Sequence, residues 1–354
     1  MKKIKDFFGI KKPLFFLILI LISFFIIGFF IWQGIYLPKT QEAIQEKLFF
    51  IKEGQGNEEI AFNLKNEGLI KHHLLFELYI YIRRISGKLQ AGVYSLSPSM
   101  SISEIANKII IGDVYTKNIT IPEGFTIRQM ERRFSETFNR EMNFSQFLAS
   151  DFKDEFNFLE TVPKNRGLEG FLFPDTYRFS YLVTEKNIIR AMLRNFDRKL
   201  TSEMREEIIK QGKSIYEIII MASMLEREVK TFEDKKMVSD IFWRRIEVNM
   251  PLQVDATIVY FLEKKGLMPE QGWTFYEMRR EVGRALVIDS PYNTYLHRGL
   301  PIGPISNPGL NSILAAIRPQ NNNYWFFLST PEGKTIFSRT YSEHRIAIDR
   351  YLNP

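Results

Sequence analysis

The sequence contains no cysteine, which excludes disulfides, iron–sulfur clusters, thiolate zinc sites and thiol nucleophiles. Histidine is nearly as scarce, since only His72, His73, His297 and His344 occur and no two stand four residues apart. A zinc site would therefore need carboxylates brought together from distant segments. No serine stands in a G-x-S-x-G motif either. We therefore expect a protein without a metal or another cofactor.

Basic charge is limited outside the N-terminus. The 354 residues include 48 Lys and Arg against 41 Asp and Glu, a net charge of +7. Residues 1–12 alone carry +4, which leaves +3 for the other 342 residues. A nucleic-acid groove needs its positive charge on the folded part, so we expect no nucleic-acid partner. The 45% hydrophobic content indicates a globular chain of one large or two ordinary domains.

One long apolar run stands near the N-terminus. The nineteen residues from Leu14 to Trp32 carry no charge, and as a helix they would span about 28 Å, close to the hydrocarbon thickness of a bilayer. A cleaved signal peptide would have a shorter apolar core and small residues at its cleavage site, which "QGIYLPKT" lacks. The sequence therefore predicts an uncleaved transmembrane anchor over residues 13–36, after a basic stub at 1–12 and before a linker at 37–47.

The lysines of the stub predict the orientation of this anchor. By the positive-inside rule the stub stays in the cytoplasm and everything after Leu37 lies outside. We therefore predict a single-pass protein of the bacterial cytoplasmic membrane whose functional part is extracytoplasmic. ATP is absent there, which argues against kinases and other NTPases.

Residues 48–135 repeat a strand–turn–helix pattern. The strings "FFIKEGQGNEEIAFNL", "GVYSLSPSMSISEIANKI" and "NITIPEGFTIRQMERRF" each place an extended apolar piece before a helix start. Gly54 and Gly124 supply the turns of the first and third strings. Two helices begin with capping boxes, Ser101 with Glu104 and Thr126 with Gln129. The pattern predicts a small α+β module, the alternative being a mere spacer.

The amino-acid composition of the remaining residues, 136–354, changes twice along the chain. Residues 136–212 are charged and predict mostly helix, with a loop over 167–179 that contains proline and glycine. The apolar run "SIYEIIIMASML" predicts a buried helix that ends near Glu226. Loops dominate the last third, and residues 290–309 hold four prolines, as segments that line a site often do. The overall expectation is an α+β fold.

Glu226 is the candidate catalytic carboxylate. On a helix it shares its side with Ala222, Ser223 and Ile219. A carboxyl at the end of an apolar face loses hydration of its charged form, which favours the protonated acid that glycosidic cleavage needs. The alternative is an ordinary surface pair with Lys230, four residues further on.

The next glutamate, Glu228, stands two residues later. At about 100° per residue it points roughly 200° away from Glu226 around the helix. We therefore expect Glu228 to be a solvated or structural charge rather than a catalytic partner.

Two further segments carry side chains suited to a polyhydroxyl ligand. In "LQVDATIVY", an extended chain would place Gln253, Asp255 and Thr257 on one face, with Tyr260 following. The segment "SPYNTY" offers similar groups from Tyr292, Asn293, Thr294 and Tyr295. The alternative for each is a polar loop residue that caps its own backbone.

Seven strings in this order resemble the endolytic murein transglycosylases of the MltG (YceG-like) family. They are "AGVYSLSPSMSISEI", "IPEGFTIRQM", "LEGFLFPDTYRF", "MASMLEREV", "MPLQVDATIVY", "SPYNTYLHRGLPIGPISNPGLNSILAAIRP" and "TIFSRTYSEH". The resemblance implies a LysM-like module over 48–135 and a YceG-like catalytic domain over 136–354. The family's essential glutamate, the first of its "ASxxExE" helix, falls on Glu226.

The sequence departs from the family pattern at three positions. Val254 and Ala256 replace the hydroxyl residue and the proline of LQ-[ST]-D-P-T, and Arg227 replaces the lysine between the two glutamates. We expect the first two changes to affect loop rigidity rather than chemistry, since Gln253 and Asp255 are retained. Arg227 keeps the positive charge.

The resemblance also implies an activity. Such an enzyme cleaves the MurNAc–GlcNAc bond within peptidoglycan strands and leaves 1,6-anhydro-MurNAc ends, which would terminate or trim nascent glycan. Glu226 would first give its proton to the glycosidic oxygen and then take the proton of the attacking C6 hydroxyl. The predicted substrate-binding residues are Gln253, Asp255, Thr257, Tyr260, Tyr292, Asn293, Thr294 and Tyr295.

The predicted partners are peptidoglycan strands, the cytoplasmic membrane through residues 13–36, and wall-synthesis enzymes as a further candidate. Two other functions stay open. One is a membrane-anchored glycan receptor or scaffold in which Glu226 is structural. The other is a true hydrolase in which Asp255 activates a water, which would leave free reducing ends.

Overall fold

The computed structural model describes residues 12–42, 45–269 and 272–352. It is a mixed α+β structure with more helix than strand. Of the described residues, those up to 117 together with 178–183 form one compact unit, and the remainder form a second. The predicted basic stub lies outside the described residues except for Lys12. The boundary predicted between residues 135 and 136 stays a prediction.

The first helix, α1 (Lys12–Tyr36), is apolar along its length. Its residues 14–30 are all exposed, and the stretch Leu14–Tyr36 is long and apolar enough to cross a membrane. Such a helix at the N-terminus is either a membrane anchor or a signal sequence.

The first unit confirms the predicted strand–turn–helix order. Its strands β1 (Lys47–Ile51) and β2 (Gly92–Leu96) pair antiparallel, with Phe49 opposite Tyr94. The helices α2 (Asn57–Asn66), α3 (His73–Ile82) and α4 (Ile102–Ile111) pack on one core that includes Phe76 and Tyr94. Ser101 and Glu104 form the predicted capping box at α4, and the turn at Gly54 has the left-handed φ of 78° that glycine favours. The LysM-like assignment of this module stays a prediction.

The chain passes between the units through β3 (Thr116–Thr120), which pairs with β4 (Thr176–Ser180). After β3 the turn at Gly124, with φ 79°, leads into α5 (Ile127–Phe138). The predicted capping box of Thr126 and Gln129 is present at the start of α5. Local sequence was sufficient here because the box and the glycine each act within four residues.

The prediction of mostly helix for residues 136–212 is wrong in its first part. Between α5 and α6 (Glu185–Lys199) there are two short 3-10 turns, over 149–151 and 157–159, and strand β4. This irregular segment folds around buried rings, with Phe158 packed against Phe171 and Phe196. Aromatic packing with distant helices therefore decided its conformation, which the charged composition did not indicate. Only α6 and α7 (Ser202–Lys210) match the expectation.

The predicted buried helix is α8 (Ile215–Glu228). Its residues from Ile218 to Leu225 are all buried, and Ser214 and Glu217 form a capping box at its start. It packs against α9 (Phe232–Glu247), α10 (Asp255–Lys264) and α12 (Leu310–Ile317). The C-terminal end of α8, which carries both glutamates, is thereby fixed inside the second unit.

The remaining elements complete the second unit. Helix α11 (Phe275–Ala285) packs on α10 and forms a small apolar cluster with it. The hairpin of β5 (Phe326–Ser329) and β6 (Thr335–Ser338) is antiparallel, and α13 (Tyr341–Tyr351) packs on it.

Candidate active site

The Glu226 carboxylate is held by three donors. Lys235 Nζ lies 2.9 Å from Oε1, while the Gly309 N–H and the Ser312 hydroxyl donate to Oε2 over 2.9 and 2.7 Å. Both members of the ion pair are nearly buried, with 5% of the Lys235 side chain and 8% of the Glu226 side chain exposed. A buried charge needs such partners to offset its lost hydration. The carboxylate is therefore fixed in position by α9 and α12 as well as by its own helix.

These contacts correct two expectations for Glu226. Its surroundings are polar rather than an apolar helix face, because α9 brings the Lys235 ammonium to it. The alternative pair with Lys230 does not form as a helical i, i+4 contact, because α8 ends at Glu228 and Val229 is already extended.

A second carboxylate, Glu123, stands beside this group. A Cβ placed on Gly309 would lie 1.9 Å from Glu123 Oε1, so the carboxyl occupies the space that a side chain at 309 would fill. Both carboxylates therefore lie next to Gly309, since Glu226 Oε2 accepts the N–H of the same glycine. Partial burial and the negative charge of Glu226 raise the pKa of Glu123, which still reaches solvent.

Asn307 joins this group to a third glutamate, Glu169. The Asn307 side-chain amide donates to Glu169 Oε1 over 2.7 Å and to the Phe125 carbonyl over 3.0 Å. Its own oxygen accepts the N–H groups of Gly170 and Leu172. The loop before α12 is thereby tied to the turn that carries Glu123.

Glu169 lines a cavity of about 540 Å³ in the second unit. Its carboxyl accepts the Ile127 N–H at 3.0 Å and the Tyr260 hydroxyl at 3.3 Å. Loss of hydration raises the pKa of Glu169 to about 8 despite these donors, and the neighbouring Glu263 adds to the effect. Two predicted binding residues, Tyr260 and Tyr292, line the same cavity with ring centroids 5.0 Å apart. Burial raises the pKa of both phenols.

Glu228 belongs to a different cavity of about 610 Å³. It is not a solvated charge: its carboxyl accepts the Ala256 N–H at 3.0 Å, and loss of hydration with the charge of Asp255 raises its pKa to about 7. Gln253, Asp255 and Tyr295 line the same cavity. Tyr295 donates its hydroxyl to Asp255, and burial raises the pKa of both. The structure therefore places these three predicted residues with Glu228, on the other side of α8 from Glu226.

The extended segment predicted for Gln253, Asp255 and Thr257 is wrong. Helix α10 begins at Asp255, so the alternation of a strand does not apply beyond Val254. Gln253 adopts a left-handed φ of 54°, uncommon for a residue with a side chain, and this turns the chain into the helix.

Three predicted residues form hydrogen bonds inside the protein through their polar groups. Asn293 donates to the carbonyls of Leu286 and Ile288 and is 1% exposed. Thr294 accepts the Val254 N–H at 2.9 Å, and Thr257 donates to the Val254 carbonyl at 2.7 Å. The bonds of Asn293 and Thr257 are local and match the alternative of backbone caps, whereas the bond of Thr294 holds the "SPYNTY" loop against the start of α10. A role of these residues in substrate binding stays a prediction.

A sequence profile of the YceG-like family matches residues 49–350. The chain belongs to the YceG-like family. The endolytic murein transglycosylase of Bacillus subtilis is 32% identical over 321 residues, which are 86% of this chain and 84% of that protein. The enzyme of the same name from Streptococcus pneumoniae (serotype 2) is 29% identical over 327 residues, but the chain spans only 58% of its length.

A solved structure supports the same family. The crystal structure of a YceG-like protein from Listeria monocytogenes is 29% identical and has a TM-score of 0.54, over 87% of this chain and all of that one. The family predicted from the seven strings is therefore confirmed.

Sequence analysis of this YceG-like protein missed Glu123, Glu169, Lys235 and Ser312. Glu123 and Glu169 stand in the strings "IPEGFTIRQM" and "LEGFLFPDTYRF", in each case directly before a glycine. The Glu-Gly dipeptide was the available signal. A turn requires only the glycine, so a glutamate directly before the glycine in two separate strings indicates a further role. No such signal marks Lys235, which looks like one of the two adjacent surface lysines at the start of α9.

Proposed function

We propose that this YceG-like protein is an endolytic murein transglycosylase that cleaves MurNAc–GlcNAc bonds within peptidoglycan strands and leaves 1,6-anhydro-MurNAc ends. Its relatives of that name support the substrate, and the carboxylate Glu226, fixed beside the second carboxylate Glu123, supports the chemistry. The arrangement of these two groups about Gly309 is the observation that carries the proposal.

The two carboxylates suit opposite halves of the reaction. Glu226 is surrounded by donors, which stabilise a carboxylate that can accept a proton. Glu123 has a raised pKa and reaches solvent, which suits a group that carries a proton to a bound sugar. The contact with Lys235 fixes the position of Glu226.

The steps follow from these assignments. Glu123 gives its proton to the oxygen that links C1 of MurNAc to GlcNAc while the C1–O bond breaks. The oxocarbenium-like C1 is attacked by the C6 oxygen of the same sugar, and the C6 hydroxyl gives its proton to Glu226. Loss of that proton from Glu226 and uptake of a proton by Glu123, both by exchange with solvent, restore the starting state. General acid–base help contributes about 10²–10⁴ in rate, and correct placement of the C6 hydroxyl supplies the larger part.

Variants of three glutamates test the proposal. We expect Glu226→Gln to abolish anhydro-ended fragments from uncrosslinked glycan strands, and Glu123→Gln to lower their rate by at least about 100-fold. The matched control is Glu228→Gln, on the same helix but in the other cavity, which should retain activity. Mass spectrometry of the products with the full chain in detergent micelles measures all three.

Each other result has a defined meaning. Full activity of Glu123→Gln would return the reaction to the single-carboxylate scheme in which Glu226 acts twice. Loss of activity only in Glu228→Gln would move the reaction to the cavity of Glu228 and Asp255. Free reducing ends would assign a hydrolase. Retained glycan binding without cleavage by the unmodified chain would assign a receptor or scaffold.

We also propose that α1 is an uncleaved anchor that holds the chain in the bacterial cytoplasmic membrane, N-terminus inside, next to wall-synthesis enzymes. The exposed apolar surface of residues 14–30 supports it. The intact mass of the protein purified from membranes tests it, since a cleaved signal sequence would be absent from that mass.

A further inference from the structure

Helix α3 of the first unit is apolar over most of its surface. Glu77 is its one acidic residue, and this carboxyl pairs with His73 at 2.9 Å. A helix that is apolar on nearly every side is normally buried in a protein core or in a membrane. Leu74, Tyr81 and Ile82 of α3 are nevertheless 65%, 78% and 61% exposed. The first unit therefore leaves part of the apolar surface of α3 open.

These three residues form one exposed stripe. At about 100° per residue, Leu74, Tyr81 and Ile82 fall within about 100° of the helix circumference. Leu75 and Tyr79 occupy the adjoining side, and the side that is buried in the core of the unit lies beyond them. The exposed stripe therefore borders the side that carries Leu75 and Tyr79.

That adjoining side packs against α1. A Cβ on Gly34 would collide with the Leu75 side chain, so the two helices approach closely at this point. The Tyr79 ring meets Tyr36 edge to face, with ring centroids 6.3 Å apart. The exposed stripe of α3 therefore lies directly beside the apolar helix α1.

The contact with α1 falls at the end of its apolar run. Residues 14–30 of α1 are exposed, and Ile31, Gly34 and Ile35 are the first that the rest of the unit covers. The uncharged run ends at Trp32, and tryptophan is enriched where membrane-spanning helices meet water. With α1 across a bilayer, α3 would therefore lie at the depth of the membrane–water interface.

The chain that follows α1 is bonded to the same unit. The Lys39 ammonium donates to the Gly68 carbonyl at 2.8 Å, and the Thr40 N–H donates to the Pro98 carbonyl at 3.2 Å. These bonds hold the first unit close to the end of α1, so α3 stays at the surface from which α1 emerges.

Basic residues flank α3 at both ends. Lys71 stands before the helix, Arg83 and Arg84 follow it, and all three are exposed. Lysine and arginine beside an interfacial apolar helix keep their charges at the level of the lipid phosphates while their stems cover apolar surface. The flanking charges therefore favour an anionic lipid surface over a purely apolar partner.

A cleft of about 700 Å³ lies between the start of α3 and α1. Phe30, Ile31 and Leu74 line it together with Lys39 and Lys71. Apolar and basic walls within one cleft match the two ends of a phospholipid, whose chains are apolar and whose phosphate is negative.

We infer that α3 lies in the membrane–water interface beside α1 and binds the outer leaflet of the bilayer. The exposed stripe contacts the acyl chains, and Lys71, Arg83 and Arg84 contact the phosphates of anionic lipids. The inference rests on the proposed anchor, because the bilayer that α1 crosses supplies this surface. It places the first unit directly on the membrane.

Fluorescent labels at single cysteines test the inference with the full chain, which has no cysteine of its own. The protein is reconstituted in vesicles of phosphatidylcholine and phosphatidylglycerol and labelled with an environment-sensitive dye at Tyr81→Cys. We expect a blue shift of the emission, strong quenching by spin-labelled lipid and little quenching by aqueous iodide. Leu74→Cys should give the same result and covers a failure of the first variant to fold, with the thermal unfolding midpoint as the check.

Two matched positions serve as controls. Phe25→Cys, exposed on α1, should be quenched by spin-labelled lipid when α1 spans the bilayer. Phe62→Cys replaces an exposed ring of α2 that contacts His73 rather than the exposed stripe, and it should be quenched by iodide.

The flanking charges have a test of their own. Each basic residue near an anionic surface contributes about fivefold in binding. Arg83→Gln combined with Tyr81→Cys should therefore reduce the blue shift in vesicles that contain phosphatidylglycerol. Equal blue shifts of Tyr81→Cys with and without phosphatidylglycerol would overturn the role of the basic residues.

The inference and the proposed anchor fail separately. Lipid quenching at Phe25→Cys, with iodide quenching at Tyr81→Cys and Leu74→Cys in folded protein, would overturn the inference and leave the anchor. Iodide quenching at Phe25→Cys would overturn the anchor and the inference together. Equal lipid quenching at Phe62→Cys and Tyr81→Cys would overturn the assignment to the exposed stripe. None of these measurements depends on cleavage, so the proposed activity is tested independently.

Discussion

Replacement of Lys235 by methionine should strongly destabilise the second unit. The Lys235 ammonium is 2.9 Å from Glu226 Oε1, and neither side chain is more than 8% exposed. Methionine fills a similar volume without the charge, so the Glu226 carboxylate would lie nearly buried beside Glu123 without its cation. Breaking a buried pair by removal of one partner costs about 3–5 kcal/mol, and we expect this loss in the free energy of unfolding at pH 7.

The double variant with Glu226→Gln isolates the interaction energy between Lys235 and Glu226. The glutamine side chain would still accept the bonds from Gly309 and Ser312 through its amide oxygen, and neither member of the former pair would be charged. We therefore expect the double variant to be more stable than Lys235→Met alone, with a coupling energy of about 1–3 kcal/mol.

Urea unfolding followed by tryptophan fluorescence measures these effects. Three of the four tryptophans, Trp243, Trp273 and Trp325, lie in the second unit, so the signal reports mainly on the unit that holds the site. Lys236→Met is the matched control, since its pair with Glu233 is partly solvated and should contribute less than about 1 kcal/mol. A loss in Lys235→Met no larger than in Lys236→Met, at an unchanged m-value, would refute the reasoning that the Glu226 pair is desolvated.

Three further predictions concern other parts of the chain. Burial raises the pKa of Glu169 from 4.5 to about 8, so between these pH values the folded state binds a proton that the unfolded state has lost. The free energy of unfolding should therefore fall as pH rises through this range, and Glu169→Gln should flatten that slope in unfolding measured from pH 5 to 9. Gly309→Ala should displace the Glu123 carboxyl, which lies where the new Cβ would be, and so lower the cleavage rate. The unfolding midpoint should change little, since the φ of −77° at this position suits alanine. An unchanged rate would argue against a role for Glu123. Ser101→Ala removes a capping box in the first unit and should cost about 0.5–2 kcal/mol of stability without changing cleavage, which thermal unfolding and product analysis check together.

Several features of this protein were determined by local sequence. The uncharged run in α1, the capping boxes at Ser101 and Thr126, and the turn at Gly54 each depend on residues a few positions apart. The buried helix α8 was equally predictable, because its nearly continuous apolar run leaves little surface for solvent. That run and the charges that follow it were enough to place Glu226 at the end of this helix.

The irregular segment between α5 and α6 shows where this reasoning ends. Its charged composition predicts helix, but the packing of Phe158 against Phe171 and Phe196 stabilises the segment more than a local helix would. The strand expected at Gln253 failed for a related reason. Asp255 begins α10, and the bonds from Thr294, about forty residues away, hold the preceding turn.

Only the tertiary structure decided what surrounds each candidate residue. Glu123, Lys235 and Gly309 meet at Glu226 from segments separated by up to 186 positions. Five of the eight predicted binding residues divide between two cavities, and the other three are buried. Sequence spacing determines which side chains share a face of one helix, because that depends on a fixed rotation per residue. Which charges lie within 3 Å of one another depends on how separate helices pack, and no local pattern encodes that.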